Sequence, residues 1–194
     1  STASSMTLER VNDLAEGNAW FQLYADQSDE FIDELVARAA AADYRVLILT
    51  VDVPIPSVRP RDHRNGFTFP MRWGARQLWD FASHPRWSLA TLSHAIGNGM
   101  PRPMNYATSS TKTSFVRNAS RARADWSFLA RLRDRWPGKL VVKGVQCPED
   151  AIRIKSLGID AIYVSNHGGR QLNAAPTAID SLGQIRQAVG ANMP

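Results

Sequence analysis

The sequence predicts an α/β protein of the (β/α)8 barrel type, in which parallel strands alternate with helices. Segments of strand character and segments of helical periodicity follow each other along the chain, and most links between them are short. Strands that alternate with helices in this way are joined by right-handed crossovers and lie parallel. An open doubly wound sheet shares this pattern. However, no Gly-x-Gly-x-x-Gly turn follows any strand, so the dinucleotide-binding form of that sheet loses its main support.

The alternation begins with a short apolar stretch at residues 19–24, which we interpret as a buried strand. Apolar residues then recur at helical spacing from Phe31 to Ala40, behind Ser28, whose hydroxyl can cap a helix N-terminus. Residues 46–51 form a continuous aliphatic and β-branched run, which is typical of a strand covered on both faces. This part of the chain therefore predicts one strand–helix–strand unit.

The second half of the chain repeats the alternation. The predicted elements are a helix from near Asp125, a strand at 139–143, a helix from Pro148 to Gly158, a strand at 161–165 and a helix from Thr177 to about Ala188. Proline suits the first position of a helix, and the acidic residues that follow Pro148 suit the helix dipole. The repeat supports parallel strands throughout.

One connection, at about residues 60–124, is far longer than a strand–helix link needs. Its basic residues include Arg72, Arg76, Arg86, Arg102, Lys112, Arg117, Arg121 and Arg123, and its large aromatic residues include Trp73, Trp79, Phe81 and Trp87. This mixture suits a membrane surface or a lid over an anionic substrate. An irregular solvated loop with a small core of its own fits the same pattern.

Composition narrows the classes of function. The 194 residues are 44% hydrophobic and carry a formal charge of +5, which suits an anionic partner. The single cysteine, Cys147, excludes an internal disulfide and fits a reducing compartment, so we expect a cytoplasmic protein. No apolar run approaches the roughly 20 residues of a membrane span, so we expect a protein that is soluble or lies on a membrane surface. The basic residues match no recognised nucleic-acid module, and we predict no nucleic-acid partner.

Polar side chains stand at or just after the end of each predicted strand. In chain order they are Gln22, Tyr24, Thr50, Asp52, Lys143, Ser165, Asn166, His167 and Arg170. Taken singly, each could be a core or loop residue. In a parallel barrel all strand C-termini lie on one face, so we expect these side chains to converge there.

Residues 165–172 give the sharpest signal. Two glycines after His167 let the backbone turn tightly, and an imidazole titrates near neutrality, as a general base requires. Arg170 offers a planar fork that matches a carboxylate. A lone loop histidine is more often structural than catalytic, but these neighbours favour a catalytic site.

The chain resembles the FMN-dependent L-2-hydroxy acid oxidases and dehydrogenases, and it looks most like the bacterial mandelate and lactate dehydrogenase branch. The resemblance lies in the segments 20–24, 49–54, 61–67, 84–87, 142–144 and 165–172, which occur in the family's order and spacing. It implies a (β/α)8 TIM barrel, FMN as the cofactor, no metal ion, and oxidation of an L-2-hydroxy acid to the 2-oxo acid.

The resemblance also implies roles for single residues. His167 matches the catalytic base, Asp52 the carboxylate that pairs with its protonated form, and Tyr24 a tyrosine that hydrogen-bonds the substrate. Arg170 and Arg59 match the substrate-side arginines. The implied flavin contacts are Ser1, Gln22, Thr50, Lys143 and Ser165.

By the same resemblance, the family's first strand and most of its second would precede Ser1, and its seventh would begin after Pro194. We therefore expect a single partial domain over 1–194, from the end of strand 2 to strand 6, without strands 1, 7 and 8. Such a fragment should bind FMN weakly or not at all alone.

The implied partners are a quinone or oxygen as electron acceptor, a second copy of the full-length chain, and the inner membrane through residues 72–123. The competing interpretation is a truncated or degenerate relative that only binds anionic ligands or membranes. Mandelate and lactate, oxidase and dehydrogenase, and hydride and carbanion routes all stay open.

Overall fold

The structure is a computed structural model, and it describes residues 1–54, 60–67, 72–111, 115, 122–172 and 174–194. Arg59, a predicted substrate contact, lies outside the described residues. The chain divides into two compact units, Ser1–Val58 with Pro103–Pro194 and Arg59–Arg102. The predicted site residues other than Arg59 all belong to the first unit.

The first unit alternates helices and parallel strands, as predicted. Its elements are α1 Leu8–Leu14, β1 Phe21–Leu23, α2 Asp29–Ala41, β2 Val46–Thr50, α6 Met104–Ala107, α7 Trp126–Arg135, β3 Lys139–Val145, α8 Pro148–Ser156, β4 Ala161–Val164, a short 3-10 turn at His167–Gly169 and α9 Ala178–Val189. The described strands form one sheet in the order β1-β2-β3-β4, and each neighbouring pair is parallel. Strands in sequential order with helical crossovers are the arrangement of a barrel wall.

Side-chain caps explain where several helices begin. Ser28 Oγ accepts a hydrogen bond from Phe31 N at the start of α2, and an Asp125 carboxylate oxygen accepts one from Phe128 N at the start of α7. Each cap satisfies an amide that has no partner inside its helix. The predicted helix starts at Ser28 and Asp125 are therefore confirmed.

The core lies between the sheet and the helices that pack on it. Alternate strand residues point to this side and are 0–1% exposed, as in Leu23, Leu47, Leu49, Leu140 and Val142. They form one cluster with apolar residues of the helices, among them Phe31, Leu35, Leu132, Ile154 and Ile185. The opposite alternation of the strands holds Gln22, Ile48 and Lys143, which are only half-buried. The apolar face of the sheet thus packs against the helices and stabilises the fold, and the opposite face carries the polar side chains of Gln22 and Lys143.

The second unit contains α3 Pro60–Arg64, α4 Ala75–Ser83 and α5 Pro85–Asn98. The rings of Trp73, Phe81 and Trp87 follow one another with centroids 5.5 Å apart in each step. Neither α4 nor α5 buries a residue.

This helical content differs from the irregular loop that the sequence suggested for about 60–124. Pro85 occupies the first turn of α5, where its missing N–H costs nothing, and the alanines and leucines that follow favour helix. The sequence does carry helical periodicity here, since Leu89, Leu92 and Ile96 recur at helical spacing, but the many tryptophans and arginines around them favoured a loop. No helix in the described ranges has both the length and the apolar character needed to cross a bilayer.

Candidate active site

Three strand ends bring ionisable side chains together at one edge of the sheet. Asp52 follows β2, Lys143 lies in β3, and His167 follows β4. Because β2 pairs in parallel with β3, and β3 with β4, the carboxyl ends of these strands lie at the same edge. The convergence that the sequence predicted for these residues is therefore present.

The Asp52 carboxylate is the centre of this cluster. Its Oδ1 lies 2.8 Å from Nδ1 of His167, and its Oδ2 accepts hydrogen bonds from Lys143 Nζ at 2.8 Å and Ser165 Oγ at 2.9 Å. The Asp52 side chain is 5% exposed, whereas those of His167 and Lys143 are each 22% exposed. The Asp52 carboxylate is thus buried, and the side chains of its partners Lys143 and His167 are partly exposed to solvent.

Burial and hydrogen bonding act in opposite directions on the pKa of Asp52. Burial of the carboxyl tends to raise its pKa, because the charged form loses solvation, but the hydrogen bonds from Lys143, His167 and Ser165 outweigh this effect. The pKa therefore lies below its ordinary value, and Asp52 is ionised at neutral pH.

Gly144 makes the approach of Asp52 to Lys143 feasible. The register of β3 against β4 shifts between Lys143 and Val145, and Gly144 between them has a φ of 112°. A Cβ atom on Gly144 would lie 2.5 Å from Asp52 Cβ and 2.6 Å from Asp52 N. Only glycine tolerates both this conformation and this contact.

The loop after β4 holds His167 in an uncommon conformation. His167 has a φ of 57°, and Gly168 and Gly169 follow with φ values of 68° and 69°. The turn is fixed by the Asn166 side-chain oxygen, which accepts from Gly169 N, and by Ser165 Oγ, which accepts from His167 N. A positive φ in a residue other than glycine is strained, and such strain clusters at functional sites.

A second polar pair stands at the ends of β1 and β2. Gln22 Nε2 donates to Thr50 Oγ1 at 2.8 Å, and Thr50 is 1% exposed. Thr2, which is fully buried, ties the start of the chain to β1, because its amide and its hydroxyl both donate to Gln22 O and its hydroxyl accepts from Tyr24 N.

The remaining predicted site residues are Arg170, Tyr24 and Ser1. Arg170 is exposed, and its guanidinium makes no hydrogen bond or ion pair within the described residues. Tyr24 directly follows β1 at the same end of the sheet. Ser1 is exposed, and its carbonyl accepts hydrogen bonds from Ser4 N and the Asn105 side-chain amide.

Sequence reasoning missed three residues that shape this edge. Thr2 anchors Gln22 and Tyr24, Asn105 holds the carbonyls of Ser1 and Thr2, and Gly144 admits Asp52. Asn105 gave no signal, since these two carbonyls lie more than 100 positions away. Gly144 gave a weak one, because a glycine inside a strand pattern often marks a bulge or a close backbone approach.

A parallel α/β wall with an imidazole, a buried carboxylate and an ammonium at its strand ends is typical of the α/β barrel class. The family profile of FMN-dependent dehydrogenases matches residues 1–194, so the chain belongs to that family. This confirms the family and the incomplete barrel that the sequence predicted.

Sequence relatives lie in the mandelate and lactate branch. (S)-mandelate dehydrogenase from Pseudomonas putida is 39% identical over 95% of this chain and 47% of its own length. L-lactate dehydrogenase from Caulobacter vibrioides strain NA1000 is 36% identical over 98% of this chain and 50% of its own. The chain thus spans about half the length of these relatives.

Solved structures of the family are also similar. One described as the monotopic membrane protein (S)-mandelate dehydrogenase superposes with a TM-score of 0.84 at 38% identity, covering 96% of this chain and 50% of that one. A putative lactate oxidase from Pediococcus acidilactici gives 0.69 at 31% identity, covering all of this chain and 45% of that one.

FMN is the cofactor of this family, and the strand ends fit part of it. The flavin ring carries carbonyl oxygens and ring nitrogens on its polar edge, which need donors and a positive charge. The Lys143 ammonium and the Gln22 and Thr50 side chains supply such groups on the half-buried face of the sheet. These residues therefore suit the ring of the cofactor.

Proposed function

We propose that the protein to which this chain contributes oxidises an L-2-hydroxy acid, of the mandelate or lactate kind, to the 2-oxo acid. The observation that carries the proposal is the contact of 2.8 Å between His167 Nδ1 and the buried, ionised Asp52. A carboxylate that holds a histidine is typical of a general base, because its negative charge stabilises the imidazole after it has accepted a proton. Bound FMN supplies the chemistry that a side chain cannot, since it accepts two electrons.

The ionised Asp52 determines which nitrogen of His167 acts as the base. An ionised carboxylate only accepts hydrogen bonds, so Nδ1 must carry the hydrogen that Oδ1 receives. Nε2 then holds the free lone pair and takes the proton of the substrate. The imidazolium that forms is stabilised by the adjacent negative charge of Asp52.

Arg170 would bind the substrate carboxylate. Its guanidinium is exposed and makes no ion pair in the described part of the chain, three positions after the base. A planar guanidinium grips a carboxylate through two parallel hydrogen bonds, which fixes the reacting carbon relative to His167. Tyr24 and Arg59 would complete the substrate site, as the resemblance implies.

The flavin contacts are proposed at the neighbouring strand ends. Lys143, Gln22 and Thr50 would face the polar edge of the ring, and the positive charge of Lys143 would favour the reduced, anionic form. Ser1 and Ser165 are carried over from the family's pattern. The electron acceptor, quinone or oxygen, and a homo-oligomeric assembly also stay predictions.

The test is anaerobic reduction of the protein expressed from its complete gene. The purified protein should be yellow, and addition of (S)-mandelate or L-lactate should bleach the flavin absorbance. The D enantiomers at equal concentration are the control and should leave the colour unchanged. A yellow protein that no L-2-hydroxy acid in a broad panel bleaches would refute the proposal.

We also propose that the second unit lies on an anionic membrane surface. The second unit exposes large aromatic side chains that have basic neighbours in the sequence, namely Trp73, Trp79 and Trp87 beside Arg72, Arg76 and Arg86. Helix α5 also exposes apolar side chains at helical spacing, namely Leu89, Leu92 and Ile96. Exposed aromatic and aliphatic side chains with basic neighbours suit the interface of a bilayer. A relative described as a monotopic membrane protein supports this reading. The cytoplasmic side of the inner membrane stays a prediction.

Flotation with phosphatidylglycerol vesicles tests the membrane proposal. Leu92 and Leu14 are both 57% exposed, but they lie in different units, so Leu92→Ser and Leu14→Ser form a matched pair. Leu92→Ser should weaken vesicle binding by about three- to tenfold, and Leu14→Ser should not. Equal effects would reject α5 as the contact. Vesicle binding by a protein that never bleaches would instead favour a relative that only binds.

A further inference from the structure

The hydroxyl of Ser165 touches three members of the proposed catalytic cluster at once. Its Oγ lies 2.9 Å from Asp52 Oδ2, 3.1 Å from Lys143 Nζ and 3.0 Å from His167 N. Ser165 itself is 8% exposed, so these bonds form largely out of water. These three hydrogen bonds join the acid, the ammonium and the histidine backbone through one atom.

The chemistry of the partners fixes the direction of each bond. A lysine ammonium and a backbone N–H can only donate, so Ser165 Oγ accepts from both Lys143 and His167. Its own hydrogen must then go to Asp52, which as an ionised carboxylate can only accept. A hydroxyl has one hydrogen and two lone pairs, so its bonding capacity is fully used inside the protein.

We propose that Ser165 is a positioning residue that holds Asp52, Lys143 and the His167 backbone in their working geometry, rather than a flavin contact through its hydroxyl. This inference rests on the proposed function. It changes the role that the family resemblance implied, because a saturated hydroxyl has no hydrogen or lone pair left for FMN.

The position of Ser165 explains how the strained histidine is kept in place. His167 has a φ of 57°, and Ser165 Oγ bonds its amide from two residues upstream. The same oxygen bonds Asp52, which in turn holds the imidazole through Nδ1. One atom therefore constrains the backbone of His167 directly and its side chain through Asp52, and loss of that atom should loosen both.

The experiment compares Ser165→Ala with Ser165→Thr in the flavin-loaded protein expressed from its complete gene. Ser165→Ala should slow anaerobic flavin reduction by about 10- to 100-fold, since a hydrogen bond to charged groups is lost. FMN affinity, measured by the quenching of flavin fluorescence, should change less than about threefold. Ser165→Thr keeps a hydroxyl and should restore most of the rate. Ser181→Ala, which removes another buried serine hydroxyl in α9, is the matched control and should change neither quantity.

Histidine tautomers give a readout that does not depend on turnover. In ¹⁵N-histidine spectra the wild-type protein should show His167, assigned by comparison with His167→Gln, with hydrogen on Nδ1. Ser165→Ala should broaden or shift that signal, because Asp52 loses one of its three hydrogen-bond partners and is less fixed. When the rate of flavin reduction is plotted against pH, the fall in rate on the acid side should move to higher pH in Ser165→Ala. The reason is that Asp52 then loses a hydrogen-bond donor that lowers its pKa. The charged or ionisable groups that contact Asp52 in the described structure are Lys143 and His167.

The opposite pattern would overturn the inference. If Ser165→Ala weakens FMN binding tenfold or more while the reduction rate and the His167 signal stay unchanged, the hydroxyl serves the flavin. If Ser165→Ala does not fold, Ser165→Cys takes its place with the same criteria. A wild-type protein that is never bleached but whose His167 signal still responds to Ser165→Ala would reject the proposed function and retain the positioning role.

Discussion

Two regions of this molecule differ in which side chains they bury: one encloses ionisable groups, and the other exposes apolar ones. At the ends of β2, β3 and β4 the Asp52 carboxylate is paired with Lys143 and His167, and the three side chains are mostly removed from water. In α4 and α5 no residue is buried, and the side chains of Trp79 and Ile96 are 76% and 78% exposed. The first region holds a fixed geometry through internal bonds. The second leaves apolar surface whose burial requires another surface.

The difference teaches where each kind of substitution should act. A paired and enclosed cluster transmits the loss of one member to all the others, because each bond constrains the next. Exposed helical side chains have few internal partners, so their loss costs folding little and acts on association instead.

The largest effect is expected from His167→Ala. Loss of the base should slow flavin reduction by an L-2-hydroxy acid at least about 1,000-fold, while the protein stays yellow. Stopped-flow absorbance under anaerobic conditions measures the rate. His94→Ala, which removes an imidazole from α5, is the control and should keep the wild-type rate. Rapid bleaching of His167→Ala would remove His167 from the mechanism.

A pair of leucines compares the stability of the two regions directly. Leu35 in α2 is fully buried, and Leu92 in α5 is 57% exposed. Leu35→Ala should lower the free energy of unfolding by about 2–5 kcal/mol, and Leu92→Ala by less than about 0.5 kcal/mol. Chemical denaturation followed by circular dichroism measures both. Similar losses would mean that α5 is covered within the folded protein, and the contrast between the regions would fail.

Local pattern predicted the alternating elements, their caps and the edge at which polar groups collect. Strands, helices and caps depend on neighbouring residues, so Ser28 and Asp125 could be recognised from the sequence. The pairing of His167 with Asp52 was implied by the family resemblance. The direct bond from Lys143 to Asp52 was not predicted, because it joins residues 91 positions apart and depends on a bulge.

The second unit was the hardest part to predict. A helix is recognised by apolar residues at helical spacing, and α5 has them in Leu89, Leu92 and Ile96, but the many tryptophans and arginines around them favoured a loop. The proposed roles of Tyr24 and Arg170 stay predictions, since a substrate contact needs the substrate. Ligand contacts thus leave little trace in the local sequence.

Gly144→Ala tests how tightly the strand-end cluster is built. The added methyl would enter the space of Asp52 Cβ at 2.5 Å, and the φ of 112° disfavours any side chain. We expect a loss of about 1–3 kcal/mol in the free energy of unfolding and slower flavin reduction, because Asp52 must move. Gly183→Ala, in α9 with nothing within 4 Å of the added atom, should be neutral or stabilise by up to about 1 kcal/mol. Unchanged stability and rate in Gly144→Ala would show that the edge is looser than its contacts indicate.

The smallest effect is a dependence of stability on pH that Asp52 should confer. Its pKa is lowered in the folded protein, so its contribution is complete above the unfolded pKa of about 3.9 and is lost as the pH falls through the folded value. Asp52→Asn should therefore lower the free energy of unfolding by about 1–3 kcal/mol between pH 5 and pH 7. The gap between wild type and variant should narrow below about pH 4.

An exposed ion pair supplies the comparison for Asp52. Asp13 pairs with Arg10 at 2.7 Å, but both side chains are more than half exposed. Asp13→Asn should cost less than about 0.5 kcal/mol at any pH, since water and salt screen such pairs. Urea unfolding at a series of pH values measures both gaps, and titration of all other groups cancels in the difference between wild type and variant. A gap for Asp52→Asn that stays constant down to pH 2.5 would mean that the charge on this carboxyl does not stabilise the fold, and that only the shape of the side chain matters there.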